Sequence, residues 1–182
     1  QPDASRRHYE FLLESLTELD AALSALGQGL IIRVGDAVEV LDTLKAETGF
    51  TRLWSHQETG NGLSYSRDLA VQEWARANGV SWKEGKQHGV MRGTHSRDNW
   101  AANWHREMYQ PRVSSPVQLQ PLSLPSRNLP AAVDLGLGPD DCPGRQKGGR
   151  SEAMSLLGGF LTERGQTYRR DMSSPLTGEW AC

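Results

Sequence analysis

Apolar residues recur at the three-and-four spacing of an amphipathic helix from the start of the chain. Phe11, Leu12, Leu16, Leu19, Leu23 and Leu26 fall on one face, which predicts a helix over residues 5–26. Asp3 or Ser5 stands where a cap would be, and Gly27 and Gly29 stop the run. The pattern then changes to Leu30-Ile31-Ile32-Arg33-Val34, a short β-branched run between glycines that predicts a strand. Asp36 offers a cap for a second helix, whose buried face is Val38, Val40, Leu41 and Leu44, and Gly49 closes it. The alternation continues. Residues 51–56 read as a strand, 58–62 as a polar loop, 65–78 as a helix with Leu69, Val71, Trp74 and Ala75 apolar, and 80–82 as a strand. Strands and helices in turn with short loops predict βαβ units and a mostly parallel sheet.

The first helix has no strand before it, although a crossover helix joins two parallel strands. One or two strands are therefore expected upstream, so that the sequence reads as a fragment of a larger fold. Beyond Val90, residues 92–110 predict a further helix with Trp100, Trp104 and Met108 spaced four apart. At that spacing, core packing is the ordinary role of such aromatics. Residues 111–143 hold most of the prolines and little periodicity, a stretch too long for a loop inside one compact domain. Residues 151–170 form an apolar-faced helix through Ala153, Leu156, Leu157, Phe160 and Leu161. The organisation expected is an α/β domain at 1–110, a linker at 111–143 and the start of a helical domain at 144–182.

Composition narrows the class. The 182 residues carry a formal net charge of −2, and 23% are charged. That balance gives no chain-wide attraction for nucleic acid. No apolar run reaches membrane-spanning length. Cys142 and Cys182 form no CxxC and neighbour no histidine, so they support neither a zinc site nor a disulfide framework. A reducing, cytoplasmic setting is expected.

Candidate chemistry is sparse. His56, Glu58 and Asn61 fall where a strand runs into a loop, the end of a parallel sheet at which ligands bind. Loop capping and turn geometry explain the same residues equally well. The basic turn Gly144-Arg145-Gln146-Lys147-Gly148-Gly149-Arg150 precedes a helix and is either a phosphate cradle or a solvated turn. Glycine after Lys147 excludes a P-loop. His8, His88, His95 and His105 are scattered, and no second ligand pair accompanies His88 and His95. No pair of residues has catalytic spacing, so no catalytic residue and no metal ligand is assigned.

Several segments, in order, resemble the DNA photolyase/cryptochrome family. The run Arg6-Arg7-His8-Tyr9-Glu10-Phe11-Leu12 is similar to the family helix after its second strand. Residues 30–36 and 38–44 are similar to the strand and helix that follow. Ser55-His56-Gln57-Glu58-Thr59-Gly60, then Tyr65-Ser66-Arg67-Asp68 and Trp74, resembles the family's H-x-E-T and R-D segment. Residues 149–161 and 168–175 resemble the entry to its FAD-binding helical domain.

The resemblance implies a Rossmann-like antenna domain lacking its first strands, a wrapping linker and a truncated all-helical domain for FAD. Tyr168 matches the tyrosine that contacts FAD, and Cys182 falls where the cofactor-phosphate segment begins. Many members carry a glutamate just before the Arg-Asp pair that touches a folate antenna. Residues 63–66 have no carboxylate, which argues against folate, and Glu58 is the nearest substitute. His56, Glu58 and Asn61 would then line an antenna or ligand loop, with the chromophore unspecified. The function implied for the full-length protein, a monomer acting on damaged DNA through its helical domain, is that of a deoxyribodipyrimidine photolyase, a lyase. The fragment alone would be inactive. Alternatives are a cryptochrome-type photoreceptor without repair activity and a nucleotide-binding α/β module.

Overall fold

The computed structural model describes residues 4–92 and 96–172. The chain divides into two compact units. One comprises residues 33–115, the other residues 1–32 together with 116–182.

The 33–115 unit is built on a parallel pair. Helix α2 (Ala37–Thr48) starts at Asp36, whose carboxylate accepts from the Val38 and Glu39 amides at 2.9 and 3.3 Å. It ends at Gly49, whose φ of 67° is the left-handed geometry that glycine adopts without strain. Strand β1 (Arg52–His56) leads through α3 (Gly62–Ala77) to β2 (Ser81–Gly85). The strands pair in parallel, Arg52 opposite Ser81 and His56 opposite Gly85. A helix between two parallel strands is the βαβ unit that the alternation predicts. The molecule is thus α/β and Rossmann-like in class. The core sits under α3, where Val71, Trp74, Ala75 and Val80 are buried. Val38, Leu41, Phe50, Leu53 and Trp82 pack against that core. The Trp74 indole N–H donates to Asp42 at 3.2 Å, which satisfies its polar atom.

Helix α4 (Trp100–Met108) is shorter than the 92–110 run predicts. Asn99 before it has a φ of 59°, so regular helix begins only at Trp100. Trp100 and Trp104 stack at 6.4 Å, and Trp104 lies directly over the backbone of Gly89.

In the other unit, α1 (Arg6–Ser24) carries a long strap of chain. Residues 30–34, which run from this unit into the 33–115 unit, lie in no strand, contrary to the strand expected there. Their backbone bonds go elsewhere. Leu30 N–H donates to the Asp20 carboxylate at 2.7 Å, Ile32 N–H to the Ser126 hydroxyl at 2.9 Å, and Arg127 N–H to the Ile32 carbonyl at 3.0 Å. Pro121 and Pro125 remove donors from the facing segment, so a continuous ladder cannot form there.

Further on, the Tyr9 hydroxyl donates to the Pro130 carbonyl at 2.6 Å, and Arg7 grips Asp140 through two nitrogens at 2.7 and 2.6 Å. The only regular turn in this strap is a 3₁₀ helix at Ala132–Leu135. Cys142 is buried.

Helix α5 (Arg150–Thr162) stops eight residues before the predicted end. A 3₁₀ turn (Arg164–Thr167) and a single turn of helix, α6 (Tyr168–Asp171), follow it. Gly158, Gly159 and Gly165 lower helix propensity through this stretch. Arg164 donates to the Leu156 carbonyl at 2.6 Å and so ties the turn back onto α5.

Candidate functional site

The loop after β1 and the start of α3 form one wall of an open groove of about 480 Å³. Glu58, Thr59, Gly60, Asn61, Ser64 and Tyr65 lie on this side, and Val90, Met91 and Arg92 face them. Two of the residues singled out in the sequence therefore meet here, Glu58 and Asn61. The third does not. The His56 ring lies against Gly85, away from the groove lining.

Asn61 also has a structural task. Its side-chain oxygen accepts from the Leu63 and Ser64 amides, both at 3.1 Å, and caps α3. Its carbonyl accepts from the Ser64 hydroxyl at 3.0 Å. The capping reading of the loop thus holds for Asn61, while Glu58 leaves its carboxylate exposed, 4.0 Å from Arg67.

Arg92 fixes the groove. Its guanidinium donates to Asp68 at 2.6 Å, to Glu84 at 2.9 Å and to the Glu58 carbonyl at 2.5 Å. It therefore ties the start of α3, the end of β2 and the loop after β1 together. Burial works against its charge. The Asp68 hydrogen bond and the fields of Glu84 and Asp68 outweigh burial, so its pKa is raised. Asp68 is itself buried and also accepts from Arg67 at 3.0 Å. With Arg67 and Arg92 set against Glu58, Asp68 and Glu84, the groove carries no surplus of positive charge to bind a phosphate.

Sequence reasoning missed Arg92 and Tyr65 as groove residues. A helix-start reading of Asp68 accounts for its position but not for its burial, and a buried carboxylate calls for a cationic partner. His88 adds a contact to Thr59, 3.3 Å between ring nitrogen and hydroxyl. Among the described residues no group of three or more His, Cys, Asp or Glu side chains could hold a metal, and no helix is long and apolar enough to cross a membrane.

In the basic turn before α5 the backbone donors that a phosphate would use already have acceptors on α1, while Lys147 and Arg150 stay exposed, as a solvated turn would leave them. Gly148 N–H donates to Glu14 at 2.7 Å, Gly149 N–H to the Ser15 hydroxyl at 3.0 Å, and Ser151 N–H to Glu18 at 3.0 Å.

Tyr168 begins α6, half exposed, with its ring edge-on to Phe160 at 5.5 Å. Arg170 is paired with Asp171 at 2.8 Å, whereas Arg169 has no partner among the described residues. Cys182 and His95 lie outside the described residues.

A family model for DNA photolyase matches residues 1–107. The chain belongs to the DNA photolyase family. Among solved structures it is similar to a bacterial class III photolyase from Agrobacterium tumefaciens, with a TM-score of 0.70 and 17% identity over 91% of this chain. At that identity the likeness establishes the photolyase fold. The match spans 38% of the Agrobacterium chain. No curated protein matches the sequence.

Proposed function

We propose that the protein to which this sequence belongs is a light-driven FAD flavoprotein that repairs pyrimidine dimers in DNA. The observation that carries the reading is membership of the DNA photolyase family over residues 1–107. When bound, reduced FAD supplies the photoexcited electron that splits the dimer. Tyr168 would lie against this cofactor with its exposed ring and hydroxyl, and Arg169 would offer charge to its phosphates. The lesion would be flipped out of the duplex to reach the flavin, as a base must be for chemistry on it. The protein would act as a monomer on damaged DNA.

The groove at Glu58, Asn61, Tyr65 and Arg92 would take an antenna chromophore. A neutral ring with N–H donors suits it better than a nucleotide, because Arg92 is already engaged by three acceptors.

Blue-light repair of a thymine-dimer oligonucleotide by the full-length protein tests the reading. Dimer loss that requires both light and bound flavin is expected. Bound flavin without repair would favour a cryptochrome-type photoreceptor. Absence of flavin would remove both, and leave a nucleotide-binding module as the alternative.

A further inference from the structure

The turn over residues 145–151 lies on a single stripe of α1. Glu10, Phe11, Glu14, Ser15 and Glu18 recur at helical spacing along that stripe, and each meets the turn. Arg145 bridges Glu10 at 3.0 Å and Glu14 at 2.5 Å. Glu14 also takes the Gly148 amide, and Glu18 takes both the amide and the hydroxyl of Ser151, the latter at 2.9 Å. Amides that converge at a helix N-terminus suit an anion, and here α1 supplies the anions. The glycines follow from the close approach. A Cβ on Gly148 would collide with the Phe11 carbonyl, and one on Gly149 with the Glu18 carboxylate. Gly149 also has a φ of 110°, outside the range of other residues.

We infer that Glu14 and Glu18 form a latch that fixes where α5 begins, and are thereby positioning residues for the helical segment that ends at Tyr168. The latch stands on its own contacts, and only its consequence for a flavin rests on the function proposed above. Four acceptors on α1 determine one register for the turn. A shift of one residue would set Gly148 or Gly149 against the wrong partner and put a side chain where only hydrogen fits. Helix α5 is continuous with the turn, so its start, and with it the placement of the segment that ends at Tyr168, follows the latch.

The test uses the full-length protein with E14Q, E18Q and the double variant, together with R145E, E14R and the charge-swapped pair. Peptide-level hydrogen exchange is the first readout and flavin dissociation the second. Exchange over 145–157 should accelerate about tenfold or more in the double variant, with 62–77 unchanged. The charge-swapped pair should recover part of what R145E and E14R each lose. Flavin affinity should fall in the same order. Unchanged exchange at 145–157, or equal loss at 62–77, would overturn the latch. Faster exchange with unaltered flavin affinity would overturn the positioning role. A parent protein without flavin would remove the proposed function, and the exchange data would still decide the latch.

Discussion

Glu14 is held ionised by the groups around it. The Arg145 hydrogen bond, then the Gly148 amide, lower its pKa from 4.5 to about 2. A folded pKa below the unfolded one means that Glu14 contributes its stability in full above about pH 4.5 and loses it as pH falls toward 2. Protection of the 145–151 amides should therefore decline across that window in the parent. In E14Q it should already be low at pH 6 and nearly flat with pH, as read by hydrogen exchange.

Arg92 makes a second residue-scale case. Removing it leaves Asp68, buried on the inner face of α3, with Arg67 alone, and strips Glu84 of its partner. Arg92→Ala should cost roughly 1–3 kcal/mol in urea unfolding, since a buried carboxylate that loses one of its two cationic partners bears part of its desolvation cost. Arg92→Lys should recover only part of this, because one ammonium cannot reproduce a planar fork across three acceptors. Equal stability of the alanine variant and the parent would show that the network is ornamental.

At the scale of elements, packing depends on where backbone comes close. Gly89 sits under the Trp104 ring, and a Cβ there would run into it. Gly89→Ala should destabilise the 33–115 unit by about 1–3 kcal/mol and shift tryptophan emission as α4 moves away. An unchanged spectrum and midpoint would refute the close contact.

The elements also show what a sequence can reveal. Helices α2 and α3 were legible, since caps and periodicity are local, and Asp36 and Gly49 mark the ends of α2 as expected. The Leu30–Val34 run was misread because a strand is defined by its partner. Residues 30–34 find no strand partner among the described residues. The same limit applied to the groove. Glu58 and Asn61 were found from their place after a strand. Arg92 lies 24 residues beyond Asp68, and their pairing is a tertiary fact. The partners of the basic turn were hidden for a related reason, because its acceptors lie more than 130 residues away on α1.

On the scale of the whole molecule, the two units are held together by different forces. The buried apolar side chains Val71, Trp74, Ala75 and Val80 all belong to the 33–115 unit. In the other unit, Cys142 is the buried apolar residue among those described, and cohesion comes from ion pairs and hydrogen bonds along α1. Partly exposed pairs are screened by salt, whereas hydrophobic burial is not weakened by it. The units should therefore unfold separately, the α1 unit first, with a gap that widens as salt rises.

The chain supplies its own reporters. Of the six tryptophans, Trp54, Trp74, Trp82, Trp100 and Trp104 lie in the 33–115 unit, while α1 and α5 give the other unit much of the helix signal. Far-UV circular dichroism should begin to fall before tryptophan fluorescence changes during a thermal ramp. Raising sodium chloride from 0.05 to about 0.5 M, which shortens the screening length severalfold, should lower the first transition and leave the second nearly in place. Coincident transitions at both salt concentrations would mean that the α1 unit draws its stability from the hydrophobic core after all. The latch and the strap would then be consequences of the fold and not among its supports.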